Sequence, residues 1–339
     1  MTEKSKVKIM VWAVDPFATD SQLQRSAALA IQAFTRNLPA HVVPVYLFMG
    51  NLAPLEVGLG IPKDFELNLR KDAQKRFSAI VKRIKIPHLK PLHVISDPFL
   101  THREGADLLT NYSKKIGAEI IFASTHAKRG VRRLFTGSFV ETLTLRSDIP
   151  LIVVNPSWNR TADLKNIIFP TDFSDESREA YDRILEIAKT SGSKITIFHK
   201  LSFYPSPVFD LAFSAYPQYQ HIIKEETEVR KENAALWVKD AVSRGISAAY
   251  VLDEKLTGSA ATAILEFAKK NPGMIALASH SGPLEIIFLG STTRQILRNS
   301  THPVWVIHPA MRREIKPLYS ITQKELNEDL IEHRRKRSA

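Results

Sequence analysis

Short apolar runs alternate along this chain with longer stretches in which apolar residues return every three or four positions, from residue 7 to residue 307. Val7 to Val14 is a β-branched run of strand character, and Ser21 to Arg36 carries Leu23, Ala27, Ala30 and Phe34 at helical spacing. The same rhythm predicts strands over His41 to Met49, Pro91 to Ser96, Glu119 to Ser124 and Leu151 to Val154. Helices are expected between them, over Phe65 to Ile84, Arg103 to Ile116 and Ser138 to Arg146. Strands separated by helices imply a parallel sheet covered on both faces and joined by right-handed crossovers.

The order begins again at Lys165. Strands are predicted at Asn166 to Pro170, Lys194 to His199, Ser247 to Leu252, Met274 to Ser279 and Val304 to Ile307. Helices are predicted at Glu176 to Thr190, Tyr219 to Ser243, Ser259 to Lys270 and Ser291 to Asn299. Gly137 to Pro156 and Gly290 to Pro309 have equal length and share Gly, Ser, Ser, Pro, Val and Pro at equivalent places, while Asp15 and Asp172 close the two first strands. An internal duplication accounts for this, with the join in the polar stretch Pro156 to Asp163. The expected domains are residues 1–158 and 159–310, followed by a charged, partly helical tail at 311–339.

The run Ile167-Ile168-Phe169-Pro170-Thr171-Asp172-Phe173-Ser174 resembles the first strand and turn of the universal stress protein family. That family's fourth strand leads into a Gly-x2-Gly-x9-Gly-Ser or Gly-Thr loop, a helix and a last strand. Here Ser124-Thr125-His126-Ala127, nine residues and Gly137-Ser138 keep the spacing, followed by Pro150-Leu151-Ile152-Val153-Val154. The resemblance covers residues 7 to 309 as two tandem copies. It implies two doubly wound five-stranded parallel sheets of order 3-2-1-4-5, an adenine nucleotide alpha hydrolase-like fold, each sheet with an outward-facing crevice at its carboxyl rim. The last strands would be edges through which the two copies pair, a pseudo-dimer in one chain.

Glycines in such a loop let the backbone approach a polyphosphate, and amides at the following helix start point at the anion. Gly137-Ser138 and Gly290-Ser291 are suited to this, with Asp15 and Asp172 at strand ends where open parallel sheets bind ligands. By resemblance the nucleotide-contacting set is Asp15, Ser124, Ala127, Gly137, Ser138 and Phe139 in the first copy, and Asp172, Gly290, Ser291 and Thr292 in the second. The ligand implied is ATP or another adenine nucleotide, with or without magnesium. Both copies depart from the pattern. Ser124 and Ala127 replace the two leading glycines of the first loop, Ala278 and Ser281 those of the second, and the second loop is one residue shorter. The basic flank Lys128 to Arg133 could neutralise phosphate charge, so the first copy is expected to be the better site. The competing reading of Gly-Ser is an ordinary helix cap, and of the two aspartates a loop or helix cap.

Composition narrows the remaining classes. With 44% apolar and 24% charged residues the chain is an ordinary globular one, and the lack of cysteine excludes disulfides, thiolate nucleophiles and iron–sulfur clusters. Lys and Arg outnumber Asp and Glu by 47 to 35, which favours anionic partners. His126 and His280 invite a Ser-His-Asp assembly, but no G-x-S-x-G elbow, H-E-x-x-H or Walker A sequence accompanies them. The expectation is therefore a small-anion-binding protein of stress resistance, not an enzyme, although the family resemblance leaves room for slow ATP hydrolysis. Nucleic acid is not an expected partner, for want of an RNP-like or zinc-finger pattern. The short apolar start does not fit a signal peptide, and no run of about 18 apolar residues is present, so a cytoplasmic location without a membrane span is expected. The second functional class is a nucleotide-independent scaffold whose aromatic insert at 203–219 contacts a protein or a hydrophobic ligand. Association into further homodimers is left open.

Overall fold

The computed structural model describes residues 8–49, 64–97, 100–125, 139–156, 158, 165–201, 217–255, 257–278 and 290–308. The first half comprises β1 (Lys8–Ala13), α1 (Ser21–Asn37), β2 (Ala40–Phe48), α2 (Phe65–Val81), β3 (His93–Ser96), α3 (His102–Lys115), β4 (Ala118–Ser124), α4 (Phe139–Arg146) and β5 (Leu151–Val154). The second comprises β6 (Asn166–Pro170), α5 (Asp175–Ser191), β7 (Lys194–Lys200), α6 (Pro217–Ser243), β8 (Ala248–Asp253), α7 (Ala260–Lys270), β9 (Met274–Ala278), α8 (Ser291–Asn299) and β10 (Val304–Ile307). Local chemistry sets the helix starts: Asp20, Thr101, Ser174 and Ser259 each accept a hydrogen bond from an amide in the first turn of α1, α3, α5 and α7. α6 begins two residues before the expected Tyr219, because Pro217 fits the first helical position, where no amide partner is needed. The tail at 311–339 lies outside the described residues.

The strands are ordered β3-β2-β1-β4-β5-β10-β9-β6-β7-β8. Each half, read from its own outer edge, has the expected order 3-2-1-4-5 with parallel neighbours. The two five-stranded sheets pair through their last strands, as the resemblance implied: β5 and β10 run antiparallel, so the halves form one continuous ten-stranded sheet. The cause is edge chemistry. Both strands are wholly buried and apolar, and an edge buried without a partner would leave its amides and carbonyls unsatisfied. The register is Val304 to Val153, Trp305 to Ile152 and Val306 to Leu151. Ile152 and Trp305 hold equivalent places in the duplicated segments, so the seam has an approximate two-fold axis through that pair. The carboxyl rims of the halves consequently lie at opposite edges of the sheet.

The duplication is visible at the level of single bonds. Ser147 Oγ donates to the Ile149 carbonyl at 2.9 Å and accepts from the Ile149 amide at 3.1 Å. Its equivalent Ser300 does the same with His302, at 2.8 and 3.0 Å. One face of the sheet packs under α1, α2, α5 and α6, with Trp12, Ile31, Phe122, Phe169, Tyr181 and Trp305 in its core. The other packs under α3, α4, α7 and α8 around Val11, Leu109, Leu143, Ile168, Ile275 and Val306.

Two predictions arise from this packing. Gly273 precedes β9 where a Cβ would overlap the backbone carbonyl oxygen of Asn166. Gly273→Ala is therefore expected to destabilise by about 1–3 kcal/mol in urea unfolding, as overpacking does, and a neutral result would show that β6 and β9 separate freely. His308, just past β10, is buried, and burial pushes its pKa down to about 4, against the opposing pull of the Thr144 carbonyl and Asp148. Between pH 4 and 6.5 the unfolded chain then binds the extra proton, so stability falls as pH drops through that window. His308→Asn installs the residue found at the equivalent Asn155. It should flatten the pH dependence of the melting temperature between pH 7 and 5, and an unchanged slope would remove His308 from the cause.

Candidate functional site

The carboxyl ends of β6, β7 and β9 and the start of α8 enclose a crevice of ≈ 520 Å³ in the second half, within the usual range for small-molecule sites. Gly290 is the N-cap of α8 and, having no side chain, does not itself cap that helix start. Ser291 is thus the first helical residue and not the cap. The amides of the first turn have no intrahelical acceptor, which leaves donors and the positive end of the helix dipole at the crevice wall. A Cβ at Gly290 would meet nothing within 4 Å, and its φ of −55° suits any residue. Neither packing nor backbone conformation demands glycine here. Its effect is to keep the space over these donors open.

Asp172 lies at the same rim. Its Oδ1 accepts from the Ser174 amide at 3.0 Å, Ser174 Oγ at 2.7 Å and Ser177 Oγ at 2.7 Å. Part of its role is therefore to shape the turn into α5, which matches the capping alternative read from sequence. The turn is tight: Phe173 has φ of +63°, uncommon for a bulky residue. Its ring is fixed between His199 and Trp237, at centroid distances of 5.1 and 5.3 Å.

Residues not picked out from sequence supply the polarity of the opposite wall. His199 Nδ1 lies 2.7 Å from the Thr171 carbonyl, an acceptor only, so this nitrogen carries the proton and Nε2 is the acceptor of the neutral ring. Burial lowers the His199 pKa, with Arg230 adding to the effect, and this favours the neutral ring. Arg230 Nε donates to Glu226 Oε1 at 2.6 Å, and its Nη1 donates to the Asp172 carbonyl at 3.3 Å, which ties α6 to the rim. Lys200 is buried, its ammonium donating to the carbonyls of Leu201 and Lys255 with Asp253 Oδ2 at 3.8 Å. One wall thus carries the His199 ring beside the cationic Arg230 and Lys200, and the other carries helix-start donors, an arrangement that suits an anionic ligand. His199 and Lys200 had a sequence signal, two polar residues ending an apolar strand at the carboxyl edge of a parallel sheet. Glu226 and Arg230 had none, being one i,i+4 pair among several on a long charged helix.

In the first half, Asp15 Oδ1 accepts from the Phe17 amide at 2.9 Å, the same turn that Asp172 makes with Ser174. Ser124 is buried with its Oγ donating to the Leu23 carbonyl at 3.1 Å, so its hydroxyl is turned to α1. The side chain of Phe139 packs on the core beside α4, which leaves its backbone as the part that can serve a ligand. Ala127, Gly137 and Ser138 lie outside the described residues, as do the basic flank 128–133, His126, His280, Ser281 and residues 203–216 of the aromatic insert. Thr125 Oγ1, at the end of β4, is buried and has no hydrogen-bond partner among the described residues. Among the described residues no cluster of three His, Asp or Glu could hold a metal ion, and no helix is long and apolar enough to cross a membrane.

Comparison with known proteins agrees with this geometry. The sequence model of the universal stress protein family matches residues 163–308. A universal stress protein of Methanocaldococcus jannaschii is 30% identical over 146 residues, 42% of this chain and 81% of that protein. The crystal structure of a universal stress protein from Archaeoglobus fulgidus superposes with a TM-score of 0.57 at 16% identity, covering 88% of this chain and 96% of its own. A protein of unknown function from Pseudomonas aeruginosa superposes with a TM-score of 0.52 at 13% identity, covering 89% and 93%. At such identities the structural likeness speaks for the fold.

Proposed function

We propose that this chain, which belongs to the universal stress protein family, is a tandem member that binds an adenine nucleotide or a similar small anion in the crevice of its second half. The modules would be residues 1–158 and 159–310, and the setting a cytoplasmic stress response. The supporting observation is the uncapped start of α8 at Gly290, where open space, amide donors and the hydroxyls of Ser291 and Thr292 meet a wall bearing His199 and Arg230. The sequence favours the first copy through its basic loop, and a second site there would take in Thr125, whose buried hydroxyl has no partner among the described residues. Binding without turnover is the reading, because the carboxylates described at the crevice are engaged with the protein itself, Asp172 with Ser174 and Ser177 and Glu226 with Arg230.

Thermal unfolding with and without ATP, each with and without magnesium, tests it. Ligand at a hundred times its dissociation constant contributes about 2.7 kcal/mol, a rise of several degrees for a protein of this size. ATP recovered unchanged would support a binder, and steady release of phosphate would make it an enzyme. No rise with any nucleotide, and no nucleotide released on denaturing the purified protein, would replace this function with the scaffold reading.

A further inference from the structure

The two outer strands of the sheet end differently. β3, at one end, has four residues, three of them buried, and Pro91 just before it has no amide to offer. β8, at the other end, is the six-residue run Ala-Ala-Tyr-Val-Leu-Asp, none of it buried, with Tyr250 40% exposed. Edge strands are commonly guarded by a lysine, a proline or a bulge, and β8 has none of the three. The ladder to β7 fixes which of its backbone groups are free. The carbonyls of Ser247 and Asp253 accept from the amides of Ile195 and Leu201, and the register between them is unbroken. Alternate residues of a strand turn their groups to the same neighbour, so residues 247, 249, 251 and 253 face β7. Ala248, Tyr250 and Leu252 turn their N–H and C=O groups outward, where no described residue meets them.

That edge is complementary to itself. An identical strand laid antiparallel, with Tyr250 opposite Tyr250, also matches Ala248 with Leu252 on either side. Each such pair exchanges both of its N–H to C=O bonds, so all the outward groups of both strands are satisfied, and a slip of two residues either way leaves some unpaired. At the central register Asp253 meets Ser247 of the second copy and Glu254 meets its Ile246, so no like charges are opposed. The surface above the edge is apolar too. Ala248 packs on the core beneath α6, so Tyr250, two residues on, points to that same side. Lys231, Ala235 and Val242 share one flank of α6, being four and seven residues apart. Lys231 Nζ lies 3.5 Å from Glu254 Oε1, just past β8, so this flank borders the edge, and Val242 on it is 57% exposed. The chain already uses the same device within itself, where β5 and β10 pair antiparallel across an approximate two-fold axis.

We propose that two copies of this chain associate through β8, antiparallel and centred on Tyr250, so that the sheet runs on from one molecule into the other. The two-fold axis through the tyrosine pair closes the contact, and assembly stops at a dimer. Tyr250 and Val242 of each copy are covered by the other. The interface stands apart from the ligand crevice and does not depend on what binds there.

Sedimentation velocity on the full chain across a dilution series tests this, and the parent is expected to sediment as a dimer at the upper end. Tyr250→Lys and Tyr250→Glu each set like charges face to face across the axis, and each should raise the dissociation constant of the dimer by at least about tenfold. An equimolar mixture of the two variants should regain association, because Lys then faces Glu. Amide hydrogen exchange on the parent supplies a readout that needs no variant to fold: protection at Ala248, Tyr250 and Leu252 should rise with concentration. A parent that stays monomeric at about 100 μM would overturn the proposal, since an interface of that size of dissociation constant is no longer a specific one. So would a dimer that both variants leave intact, a mixture that fails to associate, or an exchange pattern in which those three amides are indifferent to concentration.

Discussion

Replacing Gly290 by aspartate should strengthen the fold and weaken the ligand in one step. Asp is a better N-cap than Gly by a few tenths of a kcal/mol, and a negative charge at the start of α8 interacts favourably with the helix dipole, so the unliganded protein should melt no lower than the parent. The new carboxylate has room, since a Cβ there meets no atom within 4 Å, but it occupies the space and takes the amides that an anion would use. We expect the ATP-dependent rise in melting temperature to shrink by the equivalent of at least about tenfold in affinity, ~1.4 kcal/mol. Ligand binding that survives the substitution intact would move the site away from α8, most directly to the first half, where Gly137→Asp is the matching variant. A fall in unliganded stability would instead mean that Gly290 serves packing that the described residues do not contain.

The second large effect concerns the seam. Trp305 is almost fully buried, and its indole nitrogen has no hydrogen-bond partner among the described residues. Its contribution therefore comes from apolar contact and not from a bond, and the two halves meet on it across Ile152. Trp305→Ala should cost about 3–5 kcal/mol in urea unfolding through lost burial and the cavity left behind. Trp305→Phe keeps most of the ring and strands no polar partner, so it should cost about 1 kcal/mol. A cost for the phenylalanine variant close to that for alanine would show that the indole N–H is bonded after all. If the alanine variant also makes the halves unfold in two separate transitions, the seam is what couples them.

Much of the fold was legible because strands and helices announce themselves by period. Residues such as Leu23, Ala27, Ala30 and Phe34 can bury together only on a helix, and the restart at Lys165 repeats both order and punctuation. The aspartates at 15 and 172 were legible as a pair, and the structure gives them the same turn. Their dual reading, ligand contact or loop cap, could not be decided from sequence, since an aspartate that accepts an amide two residues on looks the same in a row of letters as one that faces a ligand. Ser124 shows the same limit: the loop spacing marks its backbone as a ligand contact, but only the structure shows where its hydroxyl goes, to the Leu23 carbonyl.

The sequence by itself determined the two copies, the element order and the positions where a helix start meets a strand end, because these follow from local periodicity, capping chemistry and repetition. Tertiary structure alone decided the register in which β5 and β10 meet, and that Glu226 and Arg230 reach the crevice from a distant helix. Those outcomes depend on which surfaces meet in space, and a residue's neighbours across a sheet or a seam leave no trace in its neighbours along the chain.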